Sequence, residues 1–305
     1  MSFCDKTKYV WFDGTLIPCD KATIHVQSHA LHYGYGVFEG IRAYQGSGNL
    51  YLFRLREHIE RFLNSAKIIG LEISYSLKEL EDAVLETLRA NEFREDVYVR
   101  PVAFTSEPKI GLNPIGAKVS VAITAIPFGK YLKPEGVRVK VSSWRRVPNF
   151  SIPVMAKATG IYLNSIIALI EAKKEGYDDA ILLDWRGNVS EATGANVMLV
   201  RKKKIITPPA SASILEGITR DSVIKIARDI GIEVIERDVA REELYVAEEI
   251  FLVGTAAEVT PVIDVDRKPV GNGSPGPITL MIRDMFMKIV RGMDERYFEW
   301  LTPVY

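Results

Sequence analysis

Between Arg146 and Glu171 the chain carries a single charged residue, Lys157, although charge is frequent everywhere else. This stretch is too apolar to be left in water. Pro148, Asn149, Pro153, Gly160 and Asn164 interrupt it too often for a membrane-crossing helix. It is therefore read as part of a soluble globular protein, not as a membrane span. Helical spacing begins only at Tyr162 and continues through Ile166, Ile167 and Ile170. Most other lysines stand beside further charges, as in Lys173-Lys174 and Lys202-Lys203-Lys204. A lysine in apolar surroundings loses solvation, which lowers its pKa and makes the neutral amine accessible. An imine-forming nucleophile needs such an amine. The other reading is a lysine whose stem lies along apolar surface while its head reaches water. The stretch alone leaves both open.

A chain of 305 residues has room for two domains with a sizeable interior. Apolar residues make up 47% and charged residues 26%, as in ordinary globular proteins. Lys plus Arg equals Asp plus Glu, 39 each, which gives no reason to expect a nucleic-acid or membrane partner. The two cysteines, Cys4 and Cys19, argue against a disulfide framework and for a reducing compartment. With no apolar leader at the N-terminus, a cytoplasmic location is expected.

Residues 9–18 read as a hairpin, with Asp13-Gly14 supplying the positive φ angles of its turn. His25, His29 and His32 could line one helix face and hold a metal. No Cys, Asp or Glu in that run completes a ligand set, and neighbouring Ser and Gly suggest a packing or substrate loop, so no metal is expected. Gly34, Gly36 and Gly40 are spaced by two and four, unlike the dinucleotide fingerprint. With Tyr33, Tyr35, Phe38 and Tyr44 they make either core packing or the wall of an apolar pocket. A strand at 49–53 leads through Arg54, a surface cap or an anion grip, into a helix ending at Gly70. A second helix opens at Ser76, with Glu79 completing a capping box, and runs to about Phe93. Strands at 97–104 and 118–126 give a first domain of mostly antiparallel character. Residues 129–136 read as a linker, dividing a smaller α/β domain (1–128) from a larger one (137–305). The larger domain has strands near 137–143, 180–184, 188–191, 196–200 and 250–253. Its helices follow Lys157, open at Gly217-Ile218-Thr219 and span 277–291. The class expected is α+β with two domains.

In chain order the second half offers Lys157, Tyr162, a carboxylate at Ser190-Glu191, and two turns, Gly217-Ile218-Thr219 and Gly254-Thr255. The first turn opens a helix, whose unpaired N–H groups and positive partial charge suit a phosphate. An amine nucleophile, a phosphate cradle and a carboxylate together are what pyridoxal 5′-phosphate demands. The carboxylate keeps the ring nitrogen protonated, and the phosphate anchors the ring.

These residues resemble the branched-chain amino-acid aminotransferases of the class IV, fold type IV pyridoxal-phosphate enzymes. The resemblance covers nearly the whole chain. Its matching stretches include Ser28 to Gly34, Val37 to Arg42, Phe53 to His58, Tyr98 to Pro101, Ala156 to Tyr162, Ser190-Glu191, Gly217 to Asp221 and Gly254 to Glu258. It implies a larger C-terminal domain with a barrel-like β core and a site between the two domains. Lys157 would then bind the cofactor covalently and shuttle the proton. Tyr162 would hold the phenolic oxygen, Glu191 the ring nitrogen, and Arg54, Ile218, Thr219 and Thr255 the phosphate. The backbone of Ala256 and Ala257 would bind the substrate carboxylate. Phe38, Gly40, Tyr98, Arg100 and Tyr131 would line the side-chain pocket, with Tyr33 and Leu112 reaching over from a partner subunit. A homo-oligomer is implied, a dimer at least and a hexamer as the larger form. Phe128 stands where some relatives have tryptophan, and Ser106-Glu107-Pro108-Lys109 replaces their glycine-rich loop.

The activity implied is reversible amino transfer between L-leucine, L-isoleucine or L-valine and 2-oxoglutarate. Rivals within the fold are a D-amino-acid aminotransferase and an aminodeoxychorismate lyase. From other classes come a cofactor-free imine-forming aldolase, which would not need Glu191 with two phosphate turns, and a silent phosphate-ligand binder, which would not need Lys157 desolvated.

Overall fold

Along residues 97–105, Val97, Val99, Ala103 and Thr105 are buried while Tyr98, Arg100 and Phe104 are more exposed, the period-two pattern of a strand with one face on a core. The computed structural model describes residues 3–305 and divides into two compact units. The first takes residues 1–129, 156–160 and 289–305. Its elements are β1 (Tyr9–Phe12), β2 (Thr15–Pro18), α1 (His29–Tyr33), β3 (Gly36–Phe38), β4 (Ile41–Gln45), β5 (Leu50–Phe53), α2 (Leu55–Ile69), α3 (Leu77–Ala90), β6 (Val97–Thr105) and β7 (Val119–Pro127). One antiparallel sheet runs β5-β4-β6-β7-β1-β2, with β3 also on β6 and the C-terminal strand Leu301–Pro303 on β5. Helix α3 packs on β1 and β7, and α2 packs on α3 and β3. The apolar stripe Leu55, Ile59, Phe62 and Ala66 fixes the buried face of α2, and Gly70 ends it in the left-handed conformation. The expected capping box is present at α3: Ser76 Oγ accepts from the Glu79 N–H, and Glu79 Oε2 accepts from the Ser76 N–H at 2.7 Å.

The second unit takes residues 130–155 and 161–288. It holds β8 (Val137–Arg145), α4 (Tyr162–Lys174), β9 (Asp179–Leu183), β10 (Val189–Ala192), β11 (Asn196–Arg201), β12 (Lys204–Thr207), α5 (Ile218–Asp229), β13 (Val234–Glu236), β14 (Glu249–Gly254), β15 (Glu258–Val265) and α6 (Pro277–Val290). The pairings β8-β9-β10-β11-β14-β15-β8 close a six-stranded barrel. Val139, Ile181, Val197, Leu199, Leu252 and Val262 are among the residues that fill its core. Closure removes both sheet edges, so these strands expose no unpaired ladder.

Several expectations need correction. Cys4 and Cys19 form a disulfide that ties the N-terminal segment to the end of β2, so the inference from cysteine count to a reducing compartment falls. His29 and His32 lie on the short helix α1 rather than in a loop, stopped at Gly34 in the left-handed conformation. The isoleucines of α4 do not form its buried face. Ser165, Ala168 and Ala172 are buried, while Leu163, Ile166 and Ile170 are about half exposed or more. Small side chains let the helix lie close to β8 and β9, and close approach, not hydrophobicity, chose the face. The two units divide after Gly129, within the stretch 129–136, and 156–160 and 289–305 group with the first unit.

Candidate functional site

In the first unit Lys157 is held on both sides of its own peptide. Its N–H donates to Ser65 Oγ of α2 at 2.9 Å, and its carbonyl accepts from the Phe38 N–H at 3.1 Å. Val37 and Ala158 form an antiparallel bridge, and Thr159 Oγ1 donates to the Gly34 carbonyl at 2.6 Å. The half-buried side chain places its Nζ 5.0 Å from the centre of the Phe38 ring.

Phe38 is also the neighbour of Arg100, whose Cζ lies 4.6 Å from that ring. Arg100 donates to the Tyr98 hydroxyl at 2.9 Å, and the Tyr98 and Phe128 rings lie 5.1 Å apart. Among the described residues no carboxylate pairs with Arg100. Residue 40 has to be glycine here, because a Cβ would overlap the Tyr98 hydroxyl. The structure thus brings Lys157, Phe38, Gly40, Tyr98, Arg100 and Phe128 into one cluster. Tyr33 and Leu112 lie on neighbouring exposed segments, joined where the Gly111 N–H donates to the Tyr33 hydroxyl at 3.0 Å.

Beside this wall stands a buried charged cluster that sequence reasoning missed. Glu39, fully buried, accepts from His58 Nδ1 at 2.8 Å and from Arg61 Nε at 2.6 Å. Burial alone would raise the Glu39 carboxyl, but the Arg61 guanidinium and the His58 ring outweigh it and hold it well below the usual carboxylate range. Burial pushes His58 down against the pull of Glu39, so the ring is neutral at neutral pH and donates its proton. His58, Arg61 and Ser65 share the face of α2 that meets the Phe38–Gly40 and Lys157 segments. Spacing of three and four residues on a helix was the available signal, and two polar residues on an otherwise apolar stripe hid it. Arg54, by contrast, donates from Nε to Glu57 at 2.6 Å and stacks 5.3 Å from the centre of Trp300. It caps α2 in the left-handed region, with φ 51°.

In the second unit Glu191 lies on β10 and is buried. Its Oε1 is 2.8 Å from Arg146 Nη2, and its Oε2 accepts from Asn196 Nδ2 at 3.1 Å and from the Leu215 N–H at 3.0 Å. The same Asn196 fixes the start of α5, because its Oδ1 occupies the space a Cβ on Gly217 would need. Ile218 and Thr219 follow in the first turn, where amides have no intrahelical acceptor. Thr255, Ala256 and Ala257 form the turn between β14 and β15. Glu258 closes it at φ 54°, the left-handed position such three-residue turns require. Ala256 and Ala257 line a cavity of about 240 Å³ together with Tyr131, Lys130 and Arg283. Half-buried Tyr162 opens α4. Among the described residues no cluster of His, Cys, Asp or Glu is placed to hold a metal, and no helix is long and apolar enough to cross a membrane.

The first unit thus carries an amine pinned beside an aromatic wall, and the second a buried, ion-paired carboxylate, a helix start and a hydroxyl-bearing turn. A family model for amino-transferase class IV matches residues 36–265, and the chain belongs to that family. Its likeness narrows further. The branched-chain-amino-acid aminotransferase of Escherichia coli K12 is 43% identical over 304 residues, covering 98% of each chain. A crystal structure of the branched-chain aminotransferase from the thermophilic archaeon Thermoproteus uzoniensis with norvaline is 56% identical. It covers 98% of this chain and 100% of that one, with a TM-score of 0.95. The branched-chain amino acid aminotransferase from Thermobaculum terrenum, solved in its PLP-bound holo-form, is 39% identical with a TM-score of 0.94, covering 98% of this chain and 99% of that one.

Proposed function

We propose that this chain is a branched-chain amino-acid aminotransferase that uses pyridoxal 5′-phosphate. It moves an amino group reversibly between L-leucine, L-isoleucine or L-valine and 2-oxoglutarate. The observation that carries the reading is Lys157 pinned beside Phe38 and Arg100 in a chain matched end to end by enzymes of that name. The names of these relatives do not favour the D-amino-acid aminotransferase or lyase alternatives.

The donor set suits the cofactor: a buried, ion-paired carboxylate at Glu191, a helix start at Ile218 and Thr219, and the Thr255 hydroxyl. When bound, the cofactor supplies an electron sink for the charge left when the substrate α-proton departs. Lys157 would hold it covalently and carry that proton on Nζ. Tyr162 would steady the phenolic oxygen, and Glu191 would pair with the ring nitrogen. Arg54 would join Ile218, Thr219 and Thr255 at the phosphate. Its Nε bond to Glu57 would orient the guanidinium there. The amides of Ala256 and Ala257 would take the substrate carboxylate.

Reconstituted protein is expected to show a visible cofactor band that borohydride fixes as added mass on Lys157. Lys157→Ala should bind the cofactor only non-covalently and lose turnover by several orders of magnitude. Substantial residual turnover in that variant would sink the assignment.

The reading includes a homo-oligomer, a dimer at least. In the first unit Leu112 is 80% exposed and Ile115 81%, and in the second Leu163, Ile166 and Ile170 lie open on α4; exposed apolar side chains of this kind suit association. Sedimentation should give a multiple of 34.2 kDa; a species at that mass would remove the assembly. A cytoplasmic location stays in the reading: one relative comes from a thermophilic archaeon, and disulfides do occur in intracellular proteins of organisms that live at high temperature.

A further inference from the structure

Glu191 can serve a ring nitrogen only while it stays charged and aimed. A buried carboxylate keeps its charge only with a cation or several donors beside it. Glu191 is 6% exposed and Arg146 5%. The guanidinium of Arg146 is fixed from three directions. Nη2 stands 2.8 Å from Glu191 Oε1, Nη1 donates to Ser165 Oγ of α4 at 3.2 Å, and Nε donates to the Ser213 carbonyl at 3.4 Å. Ser213 takes a positive φ of 60°, a conformation that costs free energy for a non-glycine residue, at the turn that carries this carbonyl. The backbone of Arg146 is tied to β9 by its N–H donating to the Leu183 carbonyl at 2.9 Å. Lysine could not reach these acceptors together, because only a planar fork of donors spans them.

We infer that Arg146 is a positioning residue for Glu191: it holds the carboxylate charged and aimed, so that the ring nitrogen of the bound cofactor stays protonated. The inference rests on the pyridoxal-phosphate reading above. Arg146 does not take part in the proton transfer. Without it, Glu191 either takes up a proton or turns toward water, and both leave the ring nitrogen without an anionic partner. Asn196 connects the two duties of this corner: its Nδ2 donates to Glu191 while its Oδ1 lies against Gly217 at the start of α5. A Glu191 that swings away therefore also loosens the phosphate end.

The test is a double-mutant cycle read by cofactor affinity, together with the ring-nitrogen signal of nitrogen-15-labelled pyridoxal phosphate. Arg146→Met in the native background should weaken cofactor binding about tenfold or more. It should also move the ring nitrogen to its unprotonated signal. In the Glu191→Gln background no charge needs holding, and the same substitution should change affinity less than about twofold. Arg146→Lys, which keeps the charge, should restore the protonated signal with only part of the affinity. If Arg146→Met does not fold, Arg146→Lys and Arg146→Gln, compared in the same two backgrounds, carry the same criterion. Equal losses in both backgrounds, or a protonated ring nitrogen once the cation is gone, would overturn the inference and leave Arg146 a packing residue. Native protein that fails to bind the cofactor at all would overturn the functional reading instead.

Discussion

Arg100 lies between an apolar ring and a phenol, with no acid among the described residues to neutralise it. That arrangement suits a pocket with two kinds of guest. Leucine brings an apolar side chain, whereas glutamate and 2-oxoglutarate bring a second carboxylate, which an apolar pocket rejects through its desolvation cost. A guanidinium stacked on Phe38 can turn its donors to a carboxylate and otherwise stay packed on the ring. Arg100→Met is expected to cost about 2–4 kcal/mol in kcat/KM for 2-oxoglutarate, and about 1 kcal/mol or less for 4-methyl-2-oxopentanoate. Stopped-flow measurement of the two half-reactions separates them, and equal losses would assign Arg100 to structure. Residues whose chemistry is rare in their surroundings were legible in the sequence. Lys157 stands out by the absence of other charge, and Glu191 by the two glycine-threonine turns that follow it; the structure pins the peptide of the first and buries the second. Arg61, Glu39 and Arg146 were not legible, because each is one charge among many in the sequence and becomes unusual only once burial and partners are known. Arg54, read from its strand-to-helix junction as a cap or an anion grip, does cap α2, and Glu57 one turn on takes its Nε.

At the scale of elements, local chemistry predicted well wherever it acts alone. The hairpin at Asp13-Gly14, the capping box at Ser76 and the stop at Gly70 each depend on residues within a few positions, and each is found. What failed depended on partners distant in sequence. Helix α4 shows its isoleucines to the outside because the space between it and β8 and β9 admits only Ser165, Ala168 and Ala172. Strand β15 went unread past the Thr255–Ala257 turn, although Glu258–Val265 closes the barrel against β8. A closing strand is defined by the two neighbours it joins, and no spacing within its own sequence records them. His29 of α1 is likewise settled by distant groups. His29 Nδ1 meets Thr105 Oγ1 at 3.0 Å, and its Nε2 meets the Gly111 carbonyl at 3.0 Å.

For the whole molecule, the first unit is assembled from three separate pieces of chain. Segment 156–160 brings the Lys157 peptide to Ser65 and Phe38, and the last residues add Leu301–Pro303 to the edge of β5. Arg291 bonds to Asp96 at 2.7 Å, and Trp300 lies edge-on to Phe53. A fragment of residues 1–129 lacks all of these, and leaves β5 with an unpaired edge. It is expected to show no cooperative thermal transition, whereas the full chain does. A sharp transition in the fragment, followed by circular dichroism, would show the late segments to be dispensable.

The order of synthesis gives this discontinuity a meaning in time. The ribosome releases the chain from its N-terminus, and a unit made of contiguous residues can close as soon as it has emerged. Here the half that is translated first is the half that is finished last. The second unit can form its barrel while the first still waits, its outer strand bare, for a segment that emerges after the barrel has been translated. Until residues 301–303 arrive, β5 keeps a bare edge, so completion of the first unit waits on translation of the whole second unit.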